Sequence, residues 1–185
     1  MEQISEKKLY QGNWLTLVET VYRNKHGEEV VWESVRRRKP WVGVIAVAKL
    51  VPSMRFILIK QFRPTLNGYV IGFPAGIGDG DAEHALVELK EETGYTGTIK
   101  EVSPVMKSNA GIINDSGMSV YIEVDEHAPE NKNPQQNLEP SEDIEVVLVP
   151  KERIKKFLLQ EYDQGTHIGG NLWYLFVLSD VINQY

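Results

Sequence analysis

Three glutamates in one short stretch carry the most chemical information in this chain of 185 residues. Glu88, Glu91 and Glu92 stand at i, i+3 and i+4 within residues 81–94, a segment whose apolar spacing predicts a single helix. Asp81 suits the N-cap, and Gly94 suits the position just past the last turn. At about 100° per residue, Ala82, Ala85, Leu86, Leu89 and Thr93 share a face that should pack on a core. The three carboxylates share another. Like charges at that spacing repel by roughly 0.2–0.5 kcal/mol per pair, and helix propensity requires none of them. A divalent cation turns the repulsion into attraction, and clustered carboxylates are the hard oxygen ligands that Mg²⁺ or Mn²⁺ takes. The plainer alternative is a solvated acidic face.

The elements that must position this helix follow from the rest of the chain. Its length fits one domain, or one domain with a small appendage, and its 42% apolar and 25% charged residues are those of an ordinary globular protein. With no cysteine, a disulfide scaffold, a zinc–thiolate site and a cysteine nucleophile are excluded, and a cytoplasmic setting is expected. The charged N-terminus shows no signal peptide, and no apolar run is long enough for a membrane span. A net charge of −6 argues against a nucleic-acid partner. The basic run Arg36, Arg37, Arg38 and Lys39 reads as a local anion contact or a solvated strand end.

Residues 7–37 read as successive strands, among them 14–22 and 29–35 with Asn24 to Gly27 as the turn, in a hairpin-rich opening that ends at Pro40. Residues 41–50 and 55–62 read as buried strands and 69–73 as a short one, followed by a Gly-rich loop into the acidic helix. Further strands are expected over 98–107, 118–124 and 144–149. Residues 126–142 form a polar loop, Pro150 opens a helix to about Gln160, and 171–182 suits a final packed helix. Strands with a central helix between them, then helices, indicate an α+β fold or a layered α/β/α sandwich. The domain division expected is 1–40 as an N-terminal β subdomain and 41–185 as the main domain.

With the helix and its loop placed, Pro74-Ala-Gly76 followed by Glu88-Leu-Lys-Glu-Glu-Thr-Gly-Tyr95 resembles the Nudix box, G-x5-E-x7-R-E-U-x-E-E-x-G-U, where U is aliphatic. The similarity extends to Gly12 through Leu17, Trp32 through Arg37, Lys60 through Pro64 with Gly68 and Tyr69, and Ser103-Pro104. These resemble the ADP-ribose and ADP-sugar pyrophosphatase branch, over roughly residues 7–180. The resemblance implies a Nudix-type α/β/α sandwich with an N-terminal β-hairpin subdomain, forming a homodimer. It implies hydrolysis of a nucleoside diphosphate sugar, typically ADP-ribose to AMP and ribose 5-phosphate, with Mg²⁺ or Mn²⁺. Glu88, Glu91 and Glu92 match the metal-ligand glutamates, with Glu88 also catalytic, and Ala75 would offer its carbonyl to a metal. Glu142, in the loop Pro140-Ser-Glu-Asp143, matches the branch's mobile-loop catalytic glutamate; otherwise it is one acid in an acidic loop. Trp14 and Trp32 match an adenine-stacking pair, and Arg37 and Arg63 match contacts to phosphates and terminal sugar.

The chain also departs from that pattern. Val87 stands where the box has arginine, and valine cannot hydrogen-bond the glutamates. The motif has thirteen residues between its glycine and that arginine, and Gly76 to Val87 leaves ten. The loop glutamate has no clear counterpart, with Asp79 or Asp81 only approximating it. Gly72 replaces a glutamate usual before Phe-Pro-Ala-Gly, and Asn109 stands where an acid is common. Two functions are therefore expected in competition: an ADP-sugar hydrolase with an altered box, and a catalytically weak nucleotide-binding or sensor protein on the same fold.

Overall fold

A computed structural model describes residues 1–182 and divides the chain into two compact units. The last three residues of the 41–185 segment lie outside the described residues. The first unit is Met1–Gly43 with Ile77–Gly80 and Pro104–Met118; the second is Val44–Gly76, Asp81–Ser103 and the chain from Ser119 onward.

The first unit is built on an antiparallel sheet in the order β1 (Glu2–Gln11), β2 (Leu15–Arg23), β3 (Glu29–Arg37). Its β2–β3 turn is set by Asn24, whose Oδ1 accepts the N–H of His26 at 2.8 Å and of Glu28 at 3.1 Å, while Gly27 takes φ +85°. Strand parity divides the sheet cleanly. Thr16 and Val18 are buried on one face of β2, and Leu15 and Leu17 are exposed on the other. The opening has three strands, and the first begins at Glu2, earlier than the residue 7 from which strands were expected. β1 is exposed along its whole length and rich in Lys and Glu, as an outer strand requires, so no apolar alternation marks it. Residues 104–118 lie along β3, with Val35 N–H donated to Ile112 O at 2.7 Å and Asn114 N–H to Val35 O at 3.3 Å.

The larger sheet contains β4 (Val42–Val51), β5 (Arg55–Arg63), β6 (Gly68–Gly72), β7 (Ala75–Gly78), β8 (Thr98–Val102), β9 (Ser116–Asp125), β10 (Ile144–Pro150) and β11 (His167–Ile168). Its order is β11-β6-β5-β4-β9-β8, with β10 on β5 and β7 on β4. β11 joins β6 in parallel and β10 joins β5 antiparallel, so the sheet is mixed. Leu58, Ile71 and Phe73 pack with Ile154 and Leu158 of α2 (Lys151–Asp163) and with Leu172 and Phe176 of the closing helical run 170–182. Alternation turns Ile57 and Ile59 to the other face of β5, and α1 (His84–Thr93) packs on β5 and β10. Helices and mixed sheet make the α+β architecture expected.

Several boundaries move. Regular helix begins at His84, because Ala82 and Glu83 form a turn: Asp81 Oδ1 accepts Glu83 N–H at 3.0 Å and Asp81 O accepts His84 N–H at 3.2 Å. Gly94 ends α1 at φ +79°, with its N–H on Lys90 O, as the sequence indicated. β8 stops at Val102, two residues before Pro104, and pairing resumes only in the isolated bridge Met106–Gly117. Pro150 ends β10 and caps α2, which continues to Asp163. The closing run is α-helical at Gly170–Leu172 and Ser179–Ile182 but π-helical at Trp173–Leu178. Among the described residues, no helix is long and apolar enough to cross a membrane.

Candidate active site

In the second unit α1 carries the three glutamates, but they do not share one environment. Glu92 follows Leu89 by three residues and Ala85 by seven, so it borders the buried stripe, and it is only 2% exposed. Its Oε2 accepts the N–H of Ala75 at 2.9 Å. Glu88 lies against Gly76, where a β-carbon would fall 1.7 Å from its Oε1. His84 Nε2, one turn earlier, donates to that same oxygen at 3.0 Å. Glu91 points outward, while its backbone carbonyl accepts Asn137 N–H at 2.8 Å.

That last bond belongs to a set that straps the polar loop after β9 to the end of α1. Gln136 Nε2 donates to Glu92 O at 2.7 Å and to Ile144 O at 3.0 Å. Gly94 lets the strap pass, since a β-carbon there would lie 2.3 Å from Gln135 N. At the loop's end, Glu142 closes a turn with Glu139: its N–H donates to Glu139 O at 3.0 Å, and its Oε2 accepts Glu139 N–H at 2.9 Å. Asp143 anchors the turn to β5 and β6 by accepting Phe62 N–H at 3.1 Å and the Tyr69 hydroxyl. That hydroxyl bond also raises the Tyr69 pKa.

The carboxylates feel one another. Burial first, then the charges of Glu88 and Glu142, push Glu92 up to about 8 against the pull of the Ala75 N–H and the field of Arg63. Glu88 is raised as well, by burial, Glu91 and Glu142, with His84 opposing. The structure therefore gathers Ala75, Glu88, Glu91, Glu92, Glu142 and Arg63 in the second unit. As arranged, separate hydrogen bonds to His84, Ala75 and Glu139 hold three of the carboxylates. Among the described residues no three His, Cys, Asp or Glu side chains form a metal-holding group. Their chemistry nonetheless fits a divalent cation: hard oxygen donors, partly withdrawn from water, loaded with mutual repulsion that positive charge relieves.

Trp14, Trp32 and Arg37 belong to the first unit. Trp14 packs at 5.9 Å from the Trp41 ring, and Trp32 Nε1 donates to Gly111 O at 2.9 Å. Trp32 lines a cavity of about 380 Å³ with Tyr22, Ser34, Arg36, Lys107 and Asn114; Trp14 is not part of it. Arg37 pairs with Leu15 on the opposite face of β3, and its N–H donates to Asn114 Oδ1 at 2.9 Å. Sequence reasoning named Arg36 only within the basic run and did not single out His84; in the structure Arg36 lines that cavity and pairs with Glu6 at 2.7 Å. The i, i+2, i+4 parity of Trp32, Ser34 and Arg36 marked the first, and the i, i+4 spacing of His84 and Glu88 marked the second.

The chain is 33% identical over 163 residues to an ADP-ribose pyrophosphatase of Saccharomyces cerevisiae, an alignment covering 82% of this chain and 71% of that protein. The chain belongs to the Nudix hydrolase family. It is also 33% identical to an ADP-sugar pyrophosphatase of Mus musculus, covering 80% of this chain and 72% of that one. With a putative nudix hydrolase 2 of Caenorhabditis elegans it shares 32% over 83% of the chain and 74% of the relative. Its fold matches the crystal structure of an ADP compounds hydrolase at TM-score 0.67, with 18% identity and coverage of 85% and 83%. No family model matches the chain. Within the Nudix family it stands in the ADP-ribose and ADP-sugar pyrophosphatase branch with a shortened, altered box.

Proposed function

We propose that this Nudix hydrolase cleaves the pyrophosphate of ADP-ribose or a related ADP-sugar, giving AMP and a sugar phosphate. The observation that supports the reading is geometric: α1 sets Glu88 against Gly76 and Glu92 on the Ala75 N–H at 2.9 Å, so the box glutamates stand against the Gly-rich strand that precedes them. Nudix hydrolases are generally dependent on a divalent metal. Mg²⁺ or Mn²⁺, held here by Glu88, Glu91, Glu92 and the Ala75 carbonyl, would neutralise phosphate charge and acidify bound water. Glu142 is the group that takes the proton of the attacking water, with Glu88 the second catalytic carboxylate. Arg63 and Arg37 present guanidinium forks to phosphate and sugar oxygens, and Trp14 and Trp32 offer ring faces to adenine.

The N-terminal segment 1–40 is the dimerisation element in this reading. Leu15, Leu17 and Val31 share one face of its sheet and are 43%, 37% and 57% exposed, an apolar surface suited to a second copy. Light scattering checks it: a monomeric mass at micromolar concentration sinks the dimer. The setting we infer is the cytoplasm, which the absence of cysteine suits.

A second reading, a nucleotide-binding protein of weak activity, is favoured by Val87, which is 46% exposed and offers nothing polar to the adjacent acids. Incubation with ADP-ribose and Mg²⁺ or Mn²⁺, followed by AMP release, decides between the two. Turnover supports the hydrolase; ADP-ribose binding without AMP release supports the binder.

A further inference from the structure

We propose that His84 is a positioning residue for Glu88, performing from one helical turn earlier the task that Val87 cannot. The inference rests on Glu88 being a metal ligand, as the proposed function has it. The geometry is local and specific. His84 Nε2 lies 3.0 Å from Glu88 Oε1, and the two side chains are 33% and 17% exposed. Gly76 leaves the same oxygen no free space, because a β-carbon would sit 1.7 Å from it. Glu88 Oε1 therefore meets both a backbone wall and an imidazole donor.

Two neighbouring carboxylates have donors of their own: Ala75 N–H for Glu92 and Glu139 N–H for Glu142. Those donors are backbone groups fixed by the fold. Glu88 receives its hydrogen bond from a side chain, and thus from a residue that substitution can remove. Val87 is adjacent in sequence but directed to solvent, at 46% exposure, and has no donor. On a helix only residues three or four apart meet, so His84 at i−4 reaches Glu88 directly. The bond needs only an Nε2–H, which both the imidazolium and one neutral tautomer supply. Holding a ligating carboxylate in one rotamer lowers the ordering cost of binding, the role outer hydrogen-bond partners commonly play.

The test compares wild type, His84→Ala and His84→Gln, whose side-chain amide can still donate to Glu88. Mn²⁺ affinity is read from the EPR signal of unbound Mn²⁺, and kcat and KM are measured with ADP-ribose. His84→Ala is expected to weaken Mn²⁺ binding about tenfold to hundredfold. The same change lowers kcat more than it raises KM, and His84→Gln retains most of both. Mn²⁺ affinity in His84→Ala equal to or tighter than wild type overturns the proposal, as does a loss in His84→Gln as large as in His84→Ala. In the wild type itself, ¹⁵N signals of the His84 imidazole should shift on addition of Mg²⁺. Their indifference overturns it without reliance on any variant's folding. A wild type that binds Mn²⁺ in a His84-dependent way yet releases no AMP sinks the hydrolase reading and leaves the role of His84 standing.

Discussion

Two glutamates of the second unit are both largely withdrawn from solvent, and they titrate in opposite directions. Glu161 on α2 is 17% exposed, takes the Lys60 ammonium at 2.8 Å and the Thr166 hydroxyl at 2.9 Å, and its pKa falls below the ordinary value. Glu92 on α1 is 2% exposed, takes one backbone N–H, faces two other carboxylates and is pushed up to about 8. The same strand, β5, supplies a cation to each neighbourhood, Lys60 to the first and Arg63 to the second. Lys60 closes an ion pair. Arg63 exerts the smallest of the named influences on Glu92. Where a buried acid serves the fold, its charge is matched from within. Where it is left unmatched beside others of its kind, it holds its proton to higher pH, and an outside cation is what lets it carry its charge.

The strongest way to break this contrast is Glu92→Gln. The amide still accepts Ala75 N–H through its carbonyl oxygen but carries no charge toward Glu88 and Glu142. Turnover of ADP-ribose should fall at least about a hundredfold, beyond the loss typical of an outer partner. The melting midpoint in EDTA should rise, because the neutral amide neither buries a charge nor has to take up a proton on folding as an acid pushed up to about 8 does. Unchanged turnover would refute the metal assignment. A lower midpoint would show that Glu92 is a structural acid like Glu161.

Gly76→Ala probes the same contrast through space alone. The added methyl cannot coexist with Glu88 Oε1 at 1.7 Å, so the carboxylate must swing off the wall or the β7–α1 approach must open. A loss of about tenfold in kcat is expected, with Mn²⁺ affinity falling in parallel. Wild-type kinetics in this variant would mean that Glu88 works from a different rotamer.

The difference between the two glutamates was only partly legible in sequence. The helical spacing of Glu88, Glu91 and Glu92 and the stop at Gly94 were readable, because period and cap are local properties. The burial of Glu92 was not. It depends on β7 delivering Ala75 N–H and on a loop some 45 residues later crossing the helix end through Gln136. The interior strands announced themselves through apolar runs and alternation, and the site's family pattern through its box. The start of β1 stayed hidden because an exposed outer strand carries no apolar pattern, and the π-helical turn at 173–178 because its residues look like any packed helix. Arg36 was legible only as part of a basic run, although strand parity puts it on the Trp32 face of β3 and Arg37 on the other.

Glu161→Gln sharpens the comparison from its satisfied side. The amide keeps an acceptor for Thr166 but loses the charge that matches Lys60, costing about 1 kcal/mol of stability. The folded pKa of Glu161 lies below its unfolded value. Its contribution is therefore complete well above pH 4.5 and drains away as pH falls through the folded value. The wild-type advantage over Glu161→Gln, measured by urea unfolding, should shrink as pH drops below 4.5, while kcat at neutral pH stays at the wild-type level. A stability gap constant down to strong acid would mean that the ion pair is not the source.

Gly72→Glu gives the smallest effect and asks whether the acidic side of the contrast is already full. Gly72 ends β6 opposite Ile59, and a β-carbon there meets nothing within 4 Å, so the first carbon of the new side chain has room. Replacing glycine in a strand also removes backbone freedom from the unfolded chain, a gain of roughly 0.5–1 kcal/mol that added charge near Ala75 partly offsets. The expected net change in stability in EDTA is less than about 0.5 kcal/mol. If the branch's usual glutamate is a missing part of this site, kcat with Mg²⁺ rises, by less than about tenfold, because outer groups tune rather than create the chemistry. A fall in kcat would mean that the chain has settled on a working balance of charge without that acid, and that Glu88, Glu91 and Glu92 already supply all the negative charge the site can use.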